Sequence, residues 1–236
     1  MSRLAPWAGT LRYLVDRRGR AAAERAIDRA LPGLGAAERR AIGRASYRQQ
    51  AAMARHRRFV EQAPERAICR RLEHRGWHHL HAAAAGGRGV VLLTAAAGCP
   101  ALALRAMAIY RPRLVLADER SDVAALRPAL DDGGDVALRL DLSPAGSGEP
   151  LPFLGREARP SPLAARLAIA AGAPLVPVFA LPTPRPGIFC LRLCQGLEPP
   201  AAGDPEATKS LLVRCLGTIE EVIRAQPACW PWGRCG

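Results

Sequence analysis

An alternation of short apolar runs with stretches of helical spacing starts near residue 86 and continues to residue 224. Its first run, residues 90–94, is continuous, apolar and preceded by glycines, which is typical of a strand buried on both faces. Four further strands are predicted at 114–117, 136–140, 174–179 and 188–194. This order predicts an α/β domain with a mainly parallel central sheet flanked by helices, and a site in the loops at the carboxyl ends of the strands.

The helical spacing of apolar residues also predicts the positions of the main helices. Residues 1–75 show no strand pattern, and we expect short helices throughout them. The predicted organisation is one domain over residues 1–236, with a basic helical region over 1–85 and an α/β core over 86–236. The individual helices are predicted at 23–31, 36–59, 100–110, 122–130, 161–171 and 205–224.

The positive charge of the chain is concentrated in its first third. The formal net charge is +13, Lys209 is the only lysine, and residues 1–75 hold 18 arginines against 7 acidic residues. Such a field attracts the phosphates of nucleic acids, anionic lipids or phosphorylated substrates. Because the arginines are not interleaved with aromatic residues and form no recognisable module, nucleic acid is not the expected partner.

The cysteine and histidine patterns predict neither disulfides nor a metal centre. Seven cysteines at irregular spacing favour reduced thiols in the cytoplasm, and no Cys-x-x-Cys pair occurs. Four of the five histidines surround Trp77, where two of them would share a helix face as a base or as metal ligands. Without a cysteine or carboxylate pattern to complete such a site, a surface helix is the preferred interpretation, and no cofactor is expected.

The first residues of the chain have an amphipathic pattern. Apolar and aromatic residues over 4–15 are followed by Arg17, Arg18 and Arg20. This pattern predicts either an interfacial membrane anchor or a short helix docked on the core. No signal peptide is predicted, and no apolar run reaches the roughly 18 residues of a membrane span.

Five segments in a fixed order carry a family resemblance. They are residues 31–40 with 46–48, 76–80 with 87–94, 151–156 with Ala158, 171–177 and 226–232. Together they resemble the lipid A late acyltransferases of the lysophospholipid acyltransferase superfamily. The resemblance implies a glycerolipid-acyltransferase-like fold and transfer of a fatty acyl chain from an acyl-carrier-protein or acyl-CoA thioester to an anionic lipid or glycolipid. It also implies peripheral association with the cytoplasmic face of the inner membrane, without a metal.

The family's mechanism needs a histidine and an acid five residues later, on the loop and helix after the first strand. The histidine removes the proton of the acceptor hydroxyl as its oxygen attacks the thioester carbonyl. Alignment on residues 92–95 places Ala96 and Ala101 at these positions. A methyl group neither accepts nor relays a proton. The chain is therefore either a divergent acyltransferase or a pseudoenzyme that binds an acyl chain or a biosynthetic partner.

Four residues are candidates for the site. Cys99 precedes a predicted helix, whose dipole would favour a thiolate nucleophile; the alternative is an inert buried thiol. Arg156 and Arg159 match a region that meets phosphate in the family, or they belong to a solvated loop. Asp141 corresponds to a family acid near the site, or it is a turn residue. Relative to the family, the chain is also short between Tyr110 and Asp141.

Overall fold

The computed structural model describes residues 5–142, 146, 148–201 and 203–234. The strands are β1 (Leu72–Arg75), β2 (Val91–Thr94), β3 (Leu114–Leu116), β4 (Asp135–Arg139), β5 (Leu151–Phe153), β6 (Arg156–Ala158), β7 (Leu175–Pro182) and β8 (Phe189–Leu193). The helices are α1 (Ala5–Val15), α2 (Arg17–Ala30), α3 (Ala36–Gln62), α4 (Glu65–Cys69), α5 (Trp77–Ala84), α6 (Pro100–Tyr110), α7 (Val123–Asp131), α8 (Leu163–Ala171) and α9 (Ala207–Ala225). Two short 3₁₀ turns, Pro227–Cys229 and Trp232–Arg234, follow α9.

Six strands form one sheet in the order β1-β8-β7-β2-β4-β3. Strands β3, β4, β2 and β7 run parallel to one another, β8 is antiparallel to β7, and β1 is parallel to β8. The predicted α/β class with a mainly parallel central sheet flanked by helices is therefore confirmed. The apolar run that predicted the first strand of the alternation lies at the centre as β2, and all four of its residues are buried.

Two features of the sheet region depart from the sequence prediction. Leu72–Arg75 lies in the part predicted to be helical, yet it forms the edge strand β1, because pairing with β8 outweighs a local sequence with no apolar period. The second feature is the separate hairpin of β5 and β6, which turns at Leu154 and Gly155 with φ angles of 50° and 72°. A leucine is an unusual residue for such a turn, so the sequence carries no hairpin signal there.

Two apolar clusters pack on opposite faces of the sheet. The α9 face buries Leu93 and Phe179 of the sheet against α2, α7, α8 and α9. The α6 face buries Leu92 and Val178 against α4, α5 and α6. Helix α3 has 27 residues and joins the two sides, since Tyr47 belongs to the first cluster and Val60 to the second.

A buried ion pair fixes the amino-terminal end of the sheet. Asp135 begins β4 and is 1% exposed, and its carboxylate accepts a hydrogen bond of 3.0 Å from the backbone amide of Val90. The guanidinium of Arg111, at the end of α6, donates to both oxygens of the same carboxylate. These contacts hold β2 and β4 in register, so that their carboxyl ends reach the opposite edge together.

Candidate functional site

The loop that follows β2, residues 95–99, lies at the centre of the carboxyl edge of the sheet and is called the motif loop below. The amide of Gly98 donates to the Cys229 carbonyl, and the amide of Cys99 donates to the Ala180 carbonyl, both at 2.9 Å. Gly98 has φ +70°, and a Cβ there would lie 2.3 Å from the Ala180 oxygen. The loop is therefore pressed against β7 in a conformation that requires glycine.

The two positions at which the family's catalytic pair is expected are occupied by methyl groups. Ala96 is half-buried and packs against the α9-face cluster, whereas Ala101 is exposed in the first turn of α6. Neither side chain can hold or move a proton. The motif loop itself, Ala-Ala-Ala-Gly-Cys, offers the Cys99 thiol as its one reactive side chain.

Cys99 caps the amino terminus of α6, as the sequence predicted for its position, but its side chain is 4% exposed. It belongs to the α6-face cluster, so it packs on the opposite face of the sheet from Ala96. Burial raises the pKa of the Cys99 thiol above its ordinary value, and the nearby Leu102 amide offsets only part of that rise. The thiol is therefore protonated at neutral pH, and the role of Cys99 as a nucleophile stays a prediction.

The candidate residue Asp141 follows the end of β4, and Arg156 reaches the backbone of the residue after it. The amide of Leu140 donates to the Thr94 carbonyl at 2.7 Å, which carries the end of β4 alongside the end of β2. Asp141 follows as an exposed residue, and the half-buried Arg156 donates to the carbonyl of the next residue, Leu142, at 3.5 Å. A shared role of Asp141 and Arg156 in holding a substrate stays a prediction.

Arg159 is separated from this pair. It is exposed, and its guanidinium donates to the Gly148 carbonyl at 3.4 Å. The three-residue spacing between Arg156 and Arg159 spans the end of β6, and the two guanidinium groups reach different carbonyls. Their shared role in holding one phosphate stays a prediction.

The carboxyl-terminal segment 226–232 completes the surroundings of the motif loop. Its Cys229 carbonyl accepts from Gly98, and the ring of Trp230 lies 5.5 Å from that of Phe153 in the β5–β6 hairpin. The hydroxyl of Ser46, in α3, donates to the Trp230 carbonyl. The structure thus brings together segments that are about 50 to 180 residues apart in the sequence. The Ser46 contact carried no sequence signal, because it depends on the path of α3.

The histidines belong to elements other than the motif loop. His56 packs edge-on against Phe189, His74 is hydrogen-bonded to the Tyr110 hydroxyl at 3.0 Å, and the other three belong to α5. Within the described ranges, no three histidine, cysteine, aspartate or glutamate residues are grouped closely enough to hold a metal ion. Thr94, which ends β2, is the nearest buried polar side chain, and its hydroxyl has no hydrogen-bond partner in the described part of the chain.

Comparison with known families now adds to this geometry. The sequence profile of the bacterial lipid A biosynthesis acyltransferases matches residues 1–127, which is more than half of the chain. The chain belongs to the bacterial lipid A biosynthesis acyltransferase family. The match contains the helical region and the motif loop of this acyltransferase-like protein, and ends in α7. Arg156, Arg159 and the carboxyl-terminal segment lie beyond it. No curated protein matches the chain.

The described residues form nine α-helices and two short 3₁₀ turns. None of those helices is both long enough and apolar enough to cross a bilayer.

Proposed function

We propose that this acyltransferase family member binds a fatty acyl chain and an anionic lipid or glycolipid at the cytoplasmic face of the inner membrane without performing the dyad reaction. The observation that carries the proposal is the motif loop. It keeps the position and packing of an active-site loop at the carboxyl edge of a parallel sheet, but Ala96 and Ala101 carry no acid or base. The acyl donor would be the thioester of an acyl-carrier protein or of CoA.

Loss of the general base has a large expected cost. A positioned base contributes about 10²–10⁴-fold to proton-transfer catalysis. Cys99 does not replace it in its present surroundings, because burial raises the pKa of its thiol and the side chain faces away from Ala96. The retained fold with an unreactive loop supports binding without group transfer.

The orientation of α1 supports the membrane part of the proposal. Its Gly9 approaches α3 so closely that a Cβ would lie 2.6 Å from the Arg48 Cα, and its Tyr13 is buried beside Tyr47. The opposite side of α1 exposes three large aliphatic side chains: Leu11 at 63%, Leu14 at 54% and Val15 at 73%. The core-docked helix and the interfacial anchor are thus compatible, since one side of α1 packs on the protein while the other is available to a bilayer.

The flanking charge fits an anionic surface. Arg12, Arg17 and Arg18 are exposed beside the aliphatic stripe of α1. Each basic residue near an anionic bilayer contributes about 1 kcal/mol to attraction. Aliphatic insertion and arginine attraction would together hold the protein peripherally, with α3 lying between α1 and the motif loop.

The functional test combines intact mass with product analysis. The full chain and the Cys99→Ala variant are incubated with palmitoyl-CoA and with palmitoyl-acyl-carrier protein, with and without lipid A precursor. We expect an increase of a few degrees in melting temperature, but no acylated protein and no acylated lipid. Any acylated lipid would overturn the proposal, and a protein adduct that is absent from Cys99→Ala would establish a covalent relay instead.

The membrane test uses co-sedimentation with vesicles of phosphatidylglycerol and phosphatidylethanolamine. The triple variant Leu11→Ser, Leu14→Ser, Val15→Ser should reduce the bound fraction at least about tenfold, because it removes the buried aliphatic area. The matched control is Leu116→Ser, Val213→Ser, which alters exposed aliphatic residues on β3 and α9. Equal binding by both variants would show that α1 is not the attachment surface.

A further inference from the structure

On the α9 face, strands β1 and β8 border a cleft of about 630 Å³, called the β1–β8 cleft. Alternation along the strands directs four side chains into it, because Glu73 is in register with Cys190, and Arg75 with Arg192. His78 and His79, at the beginning of α5, line the same cleft. The cleft therefore holds a group of charged and titratable side chains, which the motif loop lacks.

The two arginines of the cleft lie side by side. Residues in register on neighbouring strands have adjacent side chains, and two like charges in that arrangement repel each other. Glu73 does not neutralise them, since its carboxylate is paired with Arg185 of the β7–β8 loop. In the described part of the chain neither Arg75 nor Arg192 has a carboxylate partner, although Arg192 is hydrogen-bonded to the Cys194 thiol.

The other polar groups of the cleft leave this positive charge in place. Burial raises the pKa of the Cys190 thiol above its ordinary value, so at neutral pH the thiol carries no charge. The imidazole rings of His78 and His79 have centroids 4.0 Å apart, and each ring provides at least one N–H donor. Two planar guanidinium groups and two imidazoles around one space match the oxygens of a phosphate.

We propose that the β1–β8 cleft binds a phosphate ester that carries an apolar chain. Arg75 and Arg192 hold the phosphate, and the imidazoles of α5 donate hydrogen bonds to its oxygens. The apolar wall of the cleft, formed by Leu181 and Pro184, contacts the chain. A volume of about 630 Å³ lies within the range of small-molecule sites.

The apolar wall also connects the cleft with the motif loop. Leu181 lines the cleft, and its Cδ2 lies 3.2 Å from the place that a Cβ on Gly98 would take. A ligand chain lying on Leu181 therefore approaches the loop from the α9 face. This inference rests on the anionic-lipid part of the proposed function and assigns that ligand to the cleft, and it requires neither an acyl thioester nor any reaction at the loop.

Isothermal titration calorimetry of the full chain tests this site with two probes, octyl phosphate and inorganic phosphate. The variants are Arg75→Gln and Arg192→Gln, and Arg192→Lys retains the charge without the planar fork. The matched control is Arg105→Gln, which removes the same charge from an exposed position on α6. We expect each glutamine variant of the cleft to weaken octyl phosphate binding at least about tenfold, Arg192→Lys to weaken it less, and Arg105→Gln to change it less than twofold.

The two probes separate the sources of the phosphate. Tighter binding of octyl phosphate than of inorganic phosphate supports an amphiphilic ligand such as a lipid headgroup, whereas equal affinities would overturn the part assigned to the apolar wall. Absence of binding by both probes, or an equal loss in Arg105→Gln, would overturn the site. Since no thioester is present, failure here is distinguishable from failure of acyl-chain binding, and melting curves of each variant verify its fold.

Discussion

The motif loop and the β1–β8 cleft are two neighbouring regions with opposite character. The loop is closely packed, held by backbone hydrogen bonds to Ala180 and Cys229, and carries methyl groups where the family reaction needs an acid and a base. The cleft is open and lined by guanidinium, imidazole, carboxylate and thiol groups. In this chain the backbone around the expected site is closely packed, whereas the charged and titratable side chains lie in the neighbouring cleft.

The largest expected effect comes from giving the loop the side chains that it lacks. The double variant Ala96→His, Ala101→Glu should increase the release of thiol from palmitoyl-CoA, in the presence of lipid A precursor, at least about 100-fold over the original chain. Ala96→His alone should gain less, because no acid orients the imidazole. A double variant that is as slow as the original chain would show that the loop differs from an active site in more than these two side chains.

The second largest expected effect is a difference in thiol reactivity between the cleft and the motif loop. Cys190 is half-buried in the cleft, whereas Cys99 is 4% exposed, so alkylation of Cys99 requires local opening of the α6 face. Under limiting iodoacetamide we expect Cys190 to react at least about 100-fold faster, as read from peptide mass spectra over time. Octyl phosphate should slow the modification of Cys190 and leave that of Cys99 unchanged. Comparable rates at the two cysteines would contradict the rigid packing of the loop.

The close packing of the motif loop should also make the free energy of unfolding sensitive to substitution in the loop. Gly98→Ala places a Cβ 2.3 Å from the Ala180 oxygen at a positive φ, and we expect a loss of about 3 kcal/mol in the free energy of unfolding. Gly33→Ala is the control, because Gly33 also has a positive φ but has no atom within 4 Å of its Cβ position. Its cost should be about 1 kcal/mol from backbone strain alone. Urea unfolding measures both, and equal costs would mean that the loop is not tightly held.

The smallest predicted effect is a pH dependence that belongs to the cleft. Burial, and then the neighbouring His78, lower the pKa of His79 below its ordinary value. The unfolded chain therefore takes up this proton more readily than the folded chain, and the free energy of unfolding falls as the pH is lowered through about 6.5. Between pH 8 and pH 5, His79→Gln should lose about one or two degrees less in melting temperature than the original chain. Parallel melting curves for the two would show that His79 does not contribute.

Sequence periodicity predicted five of the six strands of the central sheet but missed the edge strand β1. Five strands and the helix Pro100–Tyr110 were predicted at or close to their observed bounds, because buried strands and amphipathic helices leave a strong apolar period. Strand β1 was missed, since Leu-Glu-His-Arg has no apolar period and becomes a strand only by pairing with β8. The hairpin turn at Leu154 was missed because its positive φ is supported from outside, where its amide donates to the Glu220 carboxylate at 2.6 Å.

The candidate site was predictable only in part from the sequence. The alanines at 96 and 101 were identified from the family resemblance, by alignment on residues 92–95. The opposite faces taken by Ala96 and Cys99 were not, because they depend on how the loop turns after β2. The β1–β8 cleft had no sequence signal, since Arg75 and Arg192 are 117 residues apart and become neighbours through strand register.

The α/β alternation, the strongly basic first third and the alanines at positions 96 and 101 were readable from the amino-acid sequence. These properties follow from residue type and local period, which every conformation of the chain shares. The tertiary structure alone decided that Cys99 is buried, that α1 exposes its aliphatic stripe, and that two distant arginines face one cleft. Those properties depend on contacts between segments far apart in the chain, and only packing and strand pairing create them.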